Sequence, residues 1–110
     1  MIPYGKQEID QSDIDAVIDT LQSDWLTQGP KVFEFEQCIA KYCGAKYAVA
    51  VSNGTAALHL ANLVIDKTYP KNVITTPITF LATSNSILYS DGTPVFVDIK
   101  KDIYTIDPKK

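Results

Sequence analysis

The sequence predicts an α/β fold, a mostly parallel sheet with flanking helices, and three observations carry that prediction. Three apolar runs of strand length occur at Tyr47 to Val51, Val73 to Thr76 and Val95 to Ile99. The segments between them have helical character and begin near Thr55 and near Phe80. The first two runs end in turn residues, Ser52-Asn53-Gly54-Thr55 and the proline-bearing stretch around Pro77. Strands alternating with helices in this way mark a parallel sheet with crossover connections. Because consecutive strands are usually neighbours, the simplest expectation sets the three side by side.

The elements before the sheet follow from local signals. Ser12 reads as an N-cap, with Asp15 three residues on to close a capping box. Ile14, Val17, Ile18 and Leu21 then fall at helical spacing and form one apolar stripe. "SDWLTQGP" ends that helix and makes a linker. Pro30 suits the first turn of a second helix, whose face carries Val32, Phe35, Ile39 and Tyr42, and Gly44 suits its C′ stop. Residues 1–29 are thus expected to form an arm, a helix and a linker, and residues 30–110 a partial βαβαβ domain. In the closing "YTIDPKK", Asp107 reads as an N-cap and Pro108 as a first helical residue. That start signal leads to the expectation that the chain is the front part of a longer protein.

Composition narrows the function. A chain of 110 residues, 45% hydrophobic and 21% charged, suits one small domain. Ten basic against thirteen acidic residues give a net charge of −3, with no basic stripe, so no nucleic-acid partner is expected. Every basic residue other than the single histidine is lysine, so no arginine fork can grip a carboxylate or phosphate. Cys38 and Cys43 lack the partners of a zinc site and are expected to be free thiols. No apolar run approaches the roughly 20 residues of a membrane span. The opening residues Met1 to Lys6 have no apolar core either, so the cytoplasm is the expected compartment and no membrane partner is expected.

The chemistry begins where the strand Tyr47–Val51 feeds Ser52-Asn53-Gly54-Thr55 and a helix follows without a spacer. The first N–H groups of a helix are unpaired and together carry partial positive charge, so such a turn can seat an anion, typically a phosphate. The glycine patterns of a P-loop and of a dinucleotide fold are both absent, which removes a nucleotide-binding dehydrogenase. One glycine permits a close approach to a single phosphate. "VITTPITFLATSN" repeats the layout of strand, turn and helix, and both turns lie at carboxyl ends of strands, where α/β sheets bind ligands. Phe80 could then supply an aromatic plate beside the phosphate seat of Gly54 and Thr55; its alternative fate is the core. His59 shares a helix face with Asn62 and Asp66 and is expected to be solvated.

Four ordered motifs, "WLTQGPKVFEFE", "SNGTAAL", "PITFLATSN" and "GTPVFVDI", resemble the DegT/DnrJ/EryC/StrS sugar-nucleotide aminotransferases over essentially the whole chain. The resemblance implies the N-terminal portion of the large domain of a fold-type I pyridoxal-phosphate transferase, incomplete here. "LTQG" together with "ITTPITFLATSN" is most similar to the transaminases of the pseudaminic acid branch. Those aminate a UDP-linked 4-keto-6-deoxy-N-acetyl sugar at C4 with glutamate as donor. The implied cofactor is pyridoxal 5′-phosphate, its phosphate held by Gly54 and Thr55 and its ring stacked on Phe80. Tyr4, Asp24, Trp25, Leu26 and Thr27 would line the sugar-nucleotide entrance; the alternative fates are a solvent-facing arm residue for Tyr4 and a linker residue packed on the first helix for Trp25. The resemblance also implies a homodimer, and a sheet whose first strand lies at one edge while the second and third lie toward the other.

Departures from the family are as informative. The lysine that bonds to the cofactor and shuttles a proton, and the acid facing the pyridine nitrogen, come after the matched region in the family. None of the ten lysines here stands in that lysine's context. The chain alone is therefore expected to be inactive, with no catalytic residue and no metal site of its own. A reading from another class, a small non-catalytic α/β binding or interaction module, is the alternative.

Overall fold

The computed structural model describes residues 5–65 and 72–110 and falls into two units, Met1–Ala50 and Val51–Lys110. The first unit holds α1 (Gln11–Gln22) and α2 (Pro30–Cys43). The cap of α1 is Asp10 rather than Ser12. The Asp10 carboxylate accepts the N–H of Asp13 at 3.1 Å, and the Asp13 carboxylate accepts the N–H of Asp10 at 3.0 Å. This reciprocal box satisfies two helix-end donors at once, and Ser12, inside the first turn, donates its hydroxyl to Asp10 at 2.6 Å. Asp15 instead accepts from the Gln11 side chain at 2.8 Å.

After α1 the chain turns through Ser23, whose hydroxyl donates to the Thr20 carbonyl at 2.8 Å and accepts the Trp25 N–H at 3.2 Å. Gly29 is required by close approach: a Cβ there would lie 2.7 Å from Trp25 Cβ. Pro30 opens α2, as expected from its fixed φ and missing donor. The left-handed Gly44, at φ 64°, closes it, and the Ala45 N–H returns to the Ala40 carbonyl at 2.9 Å.

Residues 47–51 correct the expected first strand, because among the described residues they join no ladder. Backbone donors without a strand partner must bond elsewhere, and the Ala50 N–H goes to the Glu36 carboxylate of α2 at 2.8 Å. The side-by-side arrangement of three strands is overturned with it.

The second unit holds α3 (Gly54–Leu63), β1 (Asn72–Thr75), α4 (Ala82–Tyr89) and β2 (Thr93–Phe96). β1 and β2 pair in parallel from Asn72↔Thr93 to Thr75↔Phe96, joined by α4 as a βαβ unit. β2 starts two residues before the expected run and stops at Phe96; Ile99 instead bridges antiparallel to Ile106. Asp107 keeps part of its expected cap role, accepting the Lys109 N–H at 3.0 Å. α4 packs against α3 and against both strands. Its buried residues are Ala82, Ser84, Ser86 and Ile87, so this helix holds most of the core of the unit.

Candidate functional site

The start of α3 is built by Asn53. Its backbone is extended, its side-chain oxygen accepts the Ala56 N–H at 2.9 Å, and its carbonyl accepts the Ala57 N–H at 3.2 Å. Asn53 also donates its side-chain amide to the Ser52 hydroxyl at 3.1 Å, which fixes the flip of the cap. Of the leading N–H groups, those of Gly54 and Thr55 therefore remain without a partner among the described residues. Both residues are exposed, and nothing lies within 4 Å of the direction a Cβ would take at Gly54. Two open donors, a threonine hydroxyl and an unobstructed glycine sit at the positive end of a ten-residue helix. That donor set fits an anionic oxygen cluster such as a phosphate.

Phe80 is 78% exposed, which removes its alternative fate as a core residue. Its carbonyl accepts the Thr83 N–H at 3.0 Å, so its backbone belongs to the entry of α4 while its ring remains uncovered. Thr76 and Thr79 brace the turn before it: Thr76 donates to the Ile78 carbonyl at 3.2 Å, and the Thr79 and Thr83 hydroxyls meet at 3.3 Å. No hydrogen bond or ring contact joins Phe80 directly to Gly54 or Thr55. Their helices are joined instead, α3 to α4, by two side-chain contacts. Asn62 Nδ2 donates to Ser86 Oγ at 3.1 Å, and the rings of His59 and Tyr89 meet edge to face with centroids 5.7 Å apart.

These contacts correct the expectation for His59. It is half-buried against Tyr89 rather than solvated, because the face it shares with Asn62 is the one α3 turns toward α4. Asp66, the third residue of that face, and Tyr4 lie outside the described residues. Asp24, Trp25, Leu26 and Thr27 occupy the exposed turn between α1 and α2, with Trp25 62% and Leu26 64% exposed. An open pocket of about 460 Å³ beside Trp25 is lined by Gln28, Gly29, Pro30 and Phe33. Neither Gln28 nor Phe33 carries a sequence signal for this pocket, and no residue preference announces the left-handed backbone of Gln28, at φ 52°. Cys38 and Cys43 are exposed, separate thiols.

Comparison with known proteins agrees with this layout. A model described as the DegT/DnrJ/EryC1/StrS aminotransferase family matches residues 7–110. The UDP-4-amino-4,6-dideoxy-N-acetyl-beta-L-altrosamine transaminase of Campylobacter jejuni strain 81-176 is 46% identical, over all of this chain and 29% of its own length. Among solved structures, Helicobacter pylori PseC, an aminotransferase involved in the biosynthesis of pseudoaminic acid, matches with a TM-score of 0.89. It is 36% identical, and the match covers 96% of this chain and 29% of PseC. Spr1654 of Streptococcus pneumoniae in its PLP-form matches with a TM-score of 0.87 and 35% identity, over 96% of this chain and 27% of that one. The chain thus spans less than a third of the length of these relatives.

Proposed function

The chain belongs to the DegT/DnrJ/EryC1/StrS aminotransferase family, and on that premise we propose that it is the cofactor-holding part of a pyridoxal-phosphate-dependent sugar-nucleotide aminotransferase. The observation that carries this reading is the pair of open N–H groups at Gly54 and Thr55. These groups and the Thr55 hydroxyl would hold the cofactor phosphate, and the exposed ring of Phe80 would stack on its pyridine. When bound, pyridoxal phosphate supplies the electron sink through which an amino group passes from donor to acceptor. The residues present would fix and orient the cofactor; the lysine that would bond to it, the acid at its ring nitrogen and the donor-carboxylate arginine would come from the part of the relatives' length that this chain does not span.

The name of the Campylobacter relative, a UDP-4-amino-4,6-dideoxy sugar transaminase, supports a UDP-linked 4-keto-6-deoxy sugar as acceptor; glutamate is the donor that the motif resemblance implies. Asp24 to Thr27 would contact that sugar nucleotide, as the motif resemblance implies. The working form would be a homodimer, as the motif resemblance implies, and its compartment the cytoplasm. In domain terms, residues 1–29 serve as arm, helix and linker, and residues 30–110 as part of the cofactor domain. No helix among the described residues is long and apolar enough to cross a membrane.

The test uses pyridoxine 5′-phosphate, which lacks the aldehyde and cannot react with surface lysines. The chain should bind it, Thr55→Val should weaken binding several-fold through the phosphate, and Phe80→Ala should do so through the ring. Mixed with pyridoxal phosphate, glutamate and a UDP-4-keto sugar, the chain should show no turnover above free cofactor. A positioned acid–base group is worth roughly a hundred- to ten-thousand-fold in such proton transfers, and this chain offers none. Unchanged binding in both variants would refute the site; turnover above background would refute the assignment of the catalyst to the rest of the protein.

A further inference from the structure

α4 presents an unusual face to its neighbours. Its buried side chains are Ala82, Ser84, Ser86 and Ile87, three of the four small. Small side chains allow close approach but offer little relief to interlock, so shape alone opposes sliding of such a helix weakly. Register along this face must come from directional contacts. Two are present on the α3 side, and the stronger is a hydrogen bond between side chains 24 positions apart in sequence.

The Ser86 hydroxyl is fully buried, at 0% exposure. It donates to the Thr83 carbonyl at 2.9 Å, which leaves its lone pairs to be satisfied. Asn62 fills one of them, donating one amide proton to Ser86 Oγ at 3.1 Å and the other to the Leu58 carbonyl of its own helix at 3.0 Å. The amide is thereby held in one orientation by α3 while it grips α4. One turn away on α3, His59 meets Tyr89 edge to face. Two contacts at separated points fix both the position and the rotation of one helix on the other, which a single contact cannot do.

We propose that Asn62 is a positioning residue that, through Ser86, sets the separation between the anion seat at the start of α3 and the aromatic plate ahead of α4. This rests on the cofactor reading above. Each helix carries one half of that site at its leading end: Gly54 and Thr55 open α3, and Phe80 immediately precedes α4. A ligand that spans both halves feels their separation, whereas a ligand that touches one half does not. Asn62 itself touches no ligand.

The test follows from that distinction. The full chain, wild type and the variants Asn62→Ala and Ser86→Ala, is titrated with pyridoxine 5′-phosphate, inorganic phosphate and pyridoxine. Both variants should lose about ten-fold in affinity for pyridoxine 5′-phosphate and stay within two-fold for phosphate alone and for pyridoxine alone. The double variant should lose no more than either single one, since both remove the same contact. Ser86→Ala conserves volume almost fully, so it keeps the test open where Asn62→Ala fails to fold; far-UV circular dichroism confirms the helices. Equal losses for all three ligands would show a general packing role and overturn the proposal, as would unchanged binding of pyridoxine 5′-phosphate. A wild-type chain that binds pyridoxine 5′-phosphate no better than phosphate would fail at the earlier step, the cofactor reading itself.

Discussion

α1 and α4 make an instructive pair. α1 has the clear amphipathic stripe of a core-facing helix, Ile14, Val17, Ile18 and Leu21, yet it buries no residue. Those four side chains are 45%, 59%, 44% and 62% exposed. α4 has a weaker pattern, rich in serine, and yet it holds Ile87 at 2% exposure with Ser84, Ser86 and Ser90 beside it. A stripe therefore states what a helix is able to bury, not what covers it. α4 has α3 and both strands against it, while α1 carries an apolar face that nothing among the described residues of its unit covers. An uncovered face of this kind marks an interaction surface, consistent with a chain that spans less than a third of its relatives.

The comparison can be broken by truncation on each helix. Ile87→Ala removes the one large apolar side chain that is fully buried among the described residues, and should cost about 2–5 kcal/mol. Leu21→Ala in the α1 stripe should change stability by less than about 0.5 kcal/mol, since it leaves no cavity and alanine suits a helix. Urea denaturation of both variants decides the matter; equal losses would mean that α1 is covered after all. Sedimentation adds a second view: the chain should self-associate through this face, and Val17→Lys and Leu21→Lys should reduce that association without lowering stability.

A smaller effect is expected at Gly44, where α2 ends. A side chain there meets nothing within 4 Å, so the cost of Gly44→Ala lies wholly in the left-handed φ of 64°. That cost should be about 1 kcal/mol, read from the shift in the denaturation midpoint. Gly29→Ala separates the two reasons for glycine: its backbone is extended, and the loss there should come from the clash with Trp25.

The smallest expected effect is the pH response of α1. The Asp10 carboxyl is held below its ordinary value of 3.8 by the Ser12 hydroxyl first, then by the N–H groups of Asp13 and Ser12. A carboxyl whose folded value is depressed stabilises the fold fully above its unfolded value and loses that contribution as pH falls through the folded one. Helicity of α1 should accordingly decline below about pH 3.8. Asp10→Asn should remove this step; an unchanged acid limb in that variant would show that Asp10 is not its source.

How legible all this was depended on the range of the cause. Helix ends set by backbone chemistry, Pro30 and Gly44, could be read directly, because fixed φ in one and left-handed φ in the other need no distant partner. The βαβ unit of β1, α4 and β2 was legible from its alternation. Residues 47–51 read as a strand because strand propensity is local while a ladder needs a neighbour, and none joins them among the described residues. Ser12 was a sound cap by type, but Asp10 wins by closing a box on Asp13, a choice that turns on register rather than on residue preference. Phe80 read as either plate or core until its exposure removed the core, while the turn of Gly54 and Thr55 at the start of α3 was legible from turn chemistry. The Asn62–Ser86 contact was not, since a polar residue on a helix face carries no signal that a buried hydroxyl waits opposite it.

The central claim is that the open N–H groups leading α3 are the seat of a phosphate. Amide resonances report each N–H separately, so the direct measurement is a titration of the isotope-labelled chain with pyridoxine 5′-phosphate followed by proton–nitrogen correlation spectra. The amides of Gly54 and Thr55 should show the largest shifts, with the Phe80 ring protons moving along the same binding curve, and inorganic phosphate should shift the two amides without the ring. Saturable shifts confined to other residues, with Gly54 and Thr55 unmoved, would contradict the account.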